Sequence, residues 1–173
     1  IALIVLLAAG AGFSLLRPAP PVPELHMSGR TMGTTYNVKY RPTQNAPALK
    51  AMQMEVDALL AEINHTMSTY DPESELSRFN RLDTTDWVSA SASLHAVLKA
   101  ALEIGAQSEG AFDITVGPLV NLWGFGPEFH QDRIPRESDI AAARTRSGLD
   151  KVTLSDTQPA IRKHRPDVFL DLS

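Results

Sequence analysis

The sequence predicts an α+β fold, because strand-like and helix-like patterns succeed one another along its 173 residues. One segment alternates polar and apolar residues with a period of two, and a longer one repeats apolar residues every three or four positions. An apolar content of 43% is ample for a packed core and argues against a disordered chain. The length suits one domain or part of a larger one.

The N-terminal residues 1–16 carry no charge, which suits the apolar region of a secretory signal or an N-terminal membrane anchor. An ordinary buried helix is the alternative, but the proline-rich residues 17–27 follow at once and are typical of an extended linker. We therefore expect a signal peptide or anchor over 1–16, a linker over 17–27 and a folded domain over 28–173.

The two ends of the sequence suggest a piece of a longer protein. The chain begins without a methionine, and its last segment, VFLDLS, alternates like a strand and has no turn after it. We therefore expect the domain to continue beyond Ser173. The chain has no cysteine, so neither a disulfide nor a lipid-modified cysteine can form within it.

The first half of the domain predicts one strand and two helices. Thr34–Tyr40 alternates as a half-buried strand does, and Gly29 and Gly33 lie close to its beginning, where a backbone could approach a ligand closely. Apolar residues from Ala48 to about Met67 follow the spacing of an amphipathic helix. Pro72 ends that helix, leaves a polar corner at 68–70 and is expected to open a short second helix.

The second half predicts more helices and a hairpin. A third helix starts near Ser89 or Ser91 and ends at Gly110, which suits a left-handed cap. Thr115 and Pro118 suit the start of a fourth helix, and residues 135–147 suit a surface helix that Gly148 stops. The segments KVTL and AIRK predict a hairpin. The expected inner face of the third helix consists of Leu94, Val97, Leu98, Ala101 and Leu102.

The stretch GAFDITVGPLVNLWGFGP, from Gly110 to Pro127, contains a single ionisable side chain, that of Asp113. A carboxylate among apolar residues is costly unless it has a partner or a task. Its carboxylate could bond backbone amides of its own turn, or it could face a pocket that Phe112, Trp123 and Phe125 form for a planar ring. A place in the core is the alternative for Trp123 and Phe125.

Charge and ligand spacing argue against two classes of partner. The formal charge of −4, with scattered Lys and Arg, gives no footprint for nucleic acid. The five histidines lie too far apart in sequence for a zinc site. The acidic residues Asp71, Glu73 and Glu75 favour a solvated face over a metal site.

Taken in order and at their separations, several segments resemble the ApbE family, the FAD:protein FMN transferases: GRTMGTTYNV, MSTYDPESELSRFN, GAFDITVGPLVNLWGFGP and VFLDLS. The resemblance covers about Ser28 to Ser173. It implies an ApbE-like flavin transferase fold that is incomplete in this chain, with the C-terminal half of the domain missing. Residues 28–173 would then be the N-terminal part of a flavin transferase domain.

The resemblance implies a Mg²⁺-dependent enzyme that cleaves FAD, releases AMP and attaches FMN to a Thr or Ser hydroxyl of a redox-complex subunit. The implied partner is an acceptor protein of a membrane electron-transfer complex of the quinone reductase type. The implied location is the periplasm, with anchoring to the inner membrane through the N-terminus as an option. Two alternatives stay open: an FAD pyrophosphatase that yields FMN and AMP, and a non-catalytic flavin-binding protein.

The resemblance also implies which residues contact FAD: Met32, Tyr70, Ala111, Phe112, Asp113 and Asp171. The family's metal-binding and catalytic residues match positions after Ser173, so we expect none of them in this chain. Residues 1–173 alone are expected to hold part of the flavin site without transferring flavin.

Overall fold

The computed structural model describes residues 22–127 and 134–172, and it confirms an α+β fold. The predicted signal peptide or anchor, 1–16, lies outside the described residues. Within them, we find no helix with the length and apolar character that crossing a membrane requires. The strands are β1 (Leu25–Thr31), β2 (Thr34–Tyr40), β3 (Val88–Ser89), β4 (Val152–Leu154) and β5 (Ala160–Lys163). The helices are α1 (Leu49–Met67), α2 (Glu75–Arg81), α3 (Ala92–Gln107), α4 (Gly117–Leu122) and α5 (Glu137–Arg144), and a 3₁₀ turn covers Leu149–Lys151.

Strands β1 and β2 form an antiparallel hairpin in which Thr31 pairs with Thr34. The sequence predicted β2 with its observed bounds but not β1, which begins at Leu25, inside the range assigned to the linker. The turn consists of Met32 and Gly33, whose φ angles are 48° and 72°. Two left-handed residues in succession match the twist of a tight hairpin, so the sharp turn places Met32 at its tip.

The core lies between helices α2 and α3 and a three-stranded antiparallel sheet of order β3-β5-β4. The predicted β4–β5 hairpin is confirmed. Strand β3 spans two residues, too few for an alternating pattern to reveal it in the sequence. The buried core cluster comprises Leu76, Phe79, Leu94, Leu98, Ala101, Ile114, Val152, Ile161, Val168 and Leu170.

Capping side chains determine where α2 and α3 begin. Ser74 Oγ accepts the Ser77 N–H at 3.0 Å, so α2 starts at Glu75 and not at Pro72 as predicted. Ser91 Oγ accepts the Leu94 N–H at 3.2 Å, which confirms the later of the two predicted starts of α3.

Three details of the predicted helices are wrong. Val97 of α3 is 39% exposed and does not belong to the inner face. The N-cap of α4 is Val116, because the hydroxyl of Thr115 is used elsewhere. Helix α5 ends at Arg144, before it reaches Gly148.

Gly110 ends the α3 region as predicted: its φ is +83° and its N–H donates to the Gly105 carbonyl at 2.9 Å. Apart from its two chain neighbours, no described residue comes within 4 Å of the place where a Cβ would stand. Gly110→Ala is therefore expected to lower the free energy of unfolding by about 1 kcal/mol through backbone strain alone. Urea unfolding checks this, and Gly110→Asn should lose less because asparagine tolerates that conformation. An alanine variant as stable as the wild type would contradict the assignment.

Candidate functional site

Asp113 orders the turn that follows α3. Its Oδ1 accepts two hydrogen bonds from Thr115, one from the backbone N–H at 2.7 Å and one from the hydroxyl at 2.6 Å. The Thr115 hydroxyl oxygen in turn accepts the Gly148 N–H at 2.5 Å. These are the bonds that a purely structural role of Asp113 predicts.

The other oxygen of the same carboxylate, Asp113 Oδ2, accepts no hydrogen bond from the residues that the structure describes. The side chain is half-buried. One carboxylate can therefore serve both predicted roles, because Oδ1 fixes the turn and Oδ2 remains able to accept a hydrogen bond from a ligand.

The aromatic side chains of the Gly110–Pro127 stretch are exposed. Phe112 is 43% exposed, Trp123 48% and Phe125 76%, so the alternative that places Trp123 and Phe125 in the core is wrong. Both lie beyond the end of α4, whose buried residues include Pro118. Large rings that stay in solvent are typical of a surface that binds an apolar or aromatic group.

Tyr70 joins the same surface from the corner between α1 and α2. Its hydroxyl donates to the carbonyl oxygen of Phe125 at 2.7 Å, and its ring is 59% exposed. Ser68 holds the corner, because its Oγ accepts the N–H groups of Tyr70 and Asp71 at 3.1 Å each. The predicted polar corner thus positions a predicted flavin-site residue.

Asp171 lies beside the Asp113 turn, because its N–H donates to the carbonyl oxygen of Ile114 at 2.8 Å. The described part of VFLDLS, residues 168–172, forms no strand and joins neither sheet, so its prediction as a strand is wrong. Its backbone bonds instead to this turn and to the side chain of Asn80. Ala111 completes the turn, with an N–H donated to the Ser108 carbonyl at 3.0 Å.

Met32 lies in a different place. It is 53% exposed and lines an open cavity of about 410 Å³ between the β1–β2 turn and α1, together with Gly29, Arg30, Thr31, Asp57, Leu60, Ala61 and Asn64. A second cavity of about 360 Å³ is lined by Asn80, Pro118, Asn121, Leu122, Arg146, Pro166, Asp167, Val168 and Phe169. Neither is lined by Asp113 or by the aromatic rings of its stretch, so neither is the pocket that the sequence predicted.

The acidic residues near α2 act on backbone groups. Asp71 Oδ1 accepts the Glu73 N–H at 2.9 Å, and Glu75 Oε1 accepts the Ser91 N–H at 2.6 Å. Within residues 22–127 and 134–172, the structure brings together no group of three or more His, Cys, Asp or Glu side chains that could hold a metal ion.

Comparison with known proteins identifies similar sequences. A FAD:protein FMN transferase from Vibrio cholerae is 42% identical over 153 residues, which are 88% of this chain and 45% of that protein. One from Haemophilus influenzae is 38% identical over 172 residues, which are 97% of this chain and 50% of that protein. The chain spans about half the length of the curated relatives it matches.

Solved structures share the fold. The flavin transferase ApbE from Vibrio cholerae superposes with a TM-score of 0.85 at 42% identity, covering 88% of this chain and 48% of that one. The apo form of the Pseudomonas stutzeri flavinyl transferase ApbE gives 0.82 at 33% identity, covering 90% and 49%. The sequence pattern of the ApbE family matches residues 32–173. The predicted resemblance is confirmed, and the chain belongs to the ApbE family.

Proposed function

We propose that the protein carrying this chain transfers FMN from FAD to a threonine or serine hydroxyl of an acceptor protein. The names of its relatives support this, since the similar proteins are FAD:protein FMN transferases. In the reaction the hydroxyl oxygen bonds to the phosphorus of the FMN half. The bond from that phosphorus to the oxygen of AMP breaks, AMP leaves with the bonding pair, and the hydroxyl proton is released.

The observation that carries the proposal is the set of contacts made by the Gly110–Pro127 stretch. Asp171 bonds to one part of it and Tyr70 to another, which gathers most of the predicted FAD residues around a single loop and helix. The exposed rings suit stacking on a flavin, and Asp113 Oδ2 suits a hydrogen-bond donor of FAD. These residues would bind and orient the flavin half.

Phosphoryl transfer depends mainly on positioning and on neutralising charge at the phosphates. Mg²⁺, when bound, would supply that neutralisation. We propose that its ligands and the catalytic residues lie in a further part of the protein, which corresponds to the half of the relatives that this chain does not match. The half of the site described here would hold the substrate for that chemistry.

The acceptor and the location form part of the same proposal. We propose an acceptor subunit of a membrane redox complex of the quinone reductase type, outside the cytoplasm. Residues 1–16 would act as an export signal or anchor, and the proline-rich residues 17–24, which precede β1, would act as a tether.

Incubation of the full-length gene product with FAD and Mg²⁺ tests the function, with and without a threonine-bearing acceptor protein. Transfer predicts AMP release and flavin fluorescence that stays with the acceptor on a denaturing gel, both dependent on the acceptor. Free FMN and AMP without labelled protein would contradict the proposal in favour of a pyrophosphatase. FAD binding without any cleavage would contradict it in favour of a non-catalytic flavin protein.

Met32→Gly, at the tip of the β1–β2 hairpin, is expected to weaken FAD binding without lowering the free energy of unfolding. Glycine adopts the φ of 48° without strain, so the free energy of unfolding should stay the same or rise by about 1 kcal/mol. The Kd for FAD should rise about tenfold, because the thioether contact with the flavin is lost. Met54→Ala, at a methionine of α1 that is 63% exposed, is the control and should leave the Kd unchanged. An unchanged Kd in Met32→Gly would remove Met32 from the site.

A further inference from the structure

Asn80, near the end of α2, hydrogen-bonds the backbone of Leu170 through both polar atoms of its carboxamide. Its Nδ2 donates to the Leu170 carbonyl at 2.8 Å, and its Oδ1 accepts the Leu170 N–H at 2.9 Å. Asn80 is 8% exposed and Leu170 is fully buried. The carboxamide thus pairs with both backbone polar groups of Leu170, as a residue of a neighbouring strand would.

Asp171 follows Leu170 directly, and its N–H donates to Ile114, the residue after Asp113. Gly117 packs so closely on this segment that a Cβ there would come within 2.9 Å of the Phe169 carbonyl oxygen. Val168 and Leu170 are buried, whereas Phe169 and Asp171 are half-buried, which indicates that the side chains of this segment alternate in direction. A slip by one residue would therefore turn the Asp171 side chain to the opposite face. The hydrogen bonds from Asn80 to Leu170 therefore fix the register in which Asp171 pairs with Ile114.

Asn80 is itself held in place. Its carbonyl oxygen accepts a hydrogen bond from the buried Lys163 at 3.2 Å, and its neighbour Phe79 belongs to the core. Asn80 is therefore anchored to the core, and its carboxamide holds the segment that carries Asp171 in a fixed position.

We propose that Asn80 is a positioning residue of the flavin site, which sets the register of Asp171 against the Asp113 turn. The proposal rests on the proposed function, because it takes Asp171 and Asp113 as contacts of FAD. Asn80 itself is not proposed to contact FAD. Its effect on FAD passes through the backbone of Leu170.

Asn80→Asp is the sharpest variant, because it keeps the shape and the acceptor but replaces the Nδ2 donor with an oxygen that repels the Leu170 carbonyl. Asn80→Ala removes both bonds and serves as the second variant. Leu98→Ala is the control, since Leu98 is fully buried in the same core and makes no side-chain hydrogen bond to residues 168–172. All are made in the full-length gene product.

The Kd for FAD per folded molecule and the visible circular dichroism of bound FAD are measured for each variant. We expect the Asn80 variants to raise the Kd at least tenfold and to change the dichroic band, while Leu98→Ala changes neither. An unchanged Kd in the Asn80 variants, or an equal rise in Leu98→Ala, would overturn the proposal. Transfer assays run alongside keep the two proposals apart, because a wild type that binds FAD but transfers nothing contradicts the proposed function alone.

Discussion

Replacing Lys163 by methionine is expected to lower the free energy of unfolding by about 2–3 kcal/mol. Lys163 is 1% exposed, and its Nζ donates to three carbonyl oxygens: Asn80 at 3.2 Å, Leu82 at 2.7 Å and Pro166 at 2.7 Å. Methionine fills much of the same volume but leaves those oxygens without their donor. Chemical denaturation measures the loss.

Lys99→Met is the matched control, because Lys99 is an exposed lysine of α3 and its replacement removes the same charge. The control should change stability by less than about 0.5 kcal/mol. A Lys163 variant that is as stable as this control would show that the buried ammonium group costs as much as its hydrogen bonds contribute.

The same lysine predicts a dependence of stability on pH. Burial lowers the pKa of Lys163 below its usual 10.5, while the charges of Asp83 and Asp167 act in the opposite direction. Between the lowered pKa and 10.5 the unfolded chain binds more protons than the folded chain, so this group adds stability as pH rises through that window. The wild type should therefore gain stability relative to Lys163→Met at alkaline pH. A difference that does not change with pH would contradict this.

Asp113→Asn is expected to raise the Kd for FAD by tenfold or more while the free energy of unfolding changes by less than about 1 kcal/mol. Asparagine keeps an oxygen for the Thr115 bonds at the position of Oδ1. At the position of Oδ2 it places an NH₂ group, which donates where the ligand is expected to donate. Binding should therefore suffer and folding should not.

Asp113→Ala removes both functions and should lose about 1–2 kcal/mol of stability in addition to FAD affinity. Asp156→Asn, at an exposed acid between β4 and β5, controls for the loss of one negative charge. If Asp113→Asn melts the protein but leaves FAD affinity per folded molecule unchanged, Asp113 acts only on its own turn.

Local patterns predicted the elements that have enough residues to show a period. Helix α1 and strand β2 have the expected positions because each is long enough to show its period, although neither contains a fully buried residue. Strand β1 was missed because polar Ser28 and the glycine beside it weaken its pattern and its pairing depends on a turn at Met32. Strand β3 was not predicted because its two residues are too few to show a period.

The site was only partly predictable for a related reason. The motif resemblance pointed to Asp113 and Asp171. The sequence could not show that Asp113 Oδ1 bonds to Thr115 while Oδ2 remains available to a ligand. The partner of Asn80 could not be predicted, because Leu170 lies 90 residues away in the chain. An asparagine beside core residues in a short helix was the one available hint, since a buried carboxamide needs partners.

A crystal structure of the full-length protein with bound FAD would test the dual role of Asp113. We expect Asp113 Oδ2 to lie within hydrogen-bond distance of a donor atom of FAD, while Oδ1 keeps its bonds to Thr115. A flavin nucleotide bound elsewhere, with the Asp113 carboxylate contacting only its own turn, would contradict it.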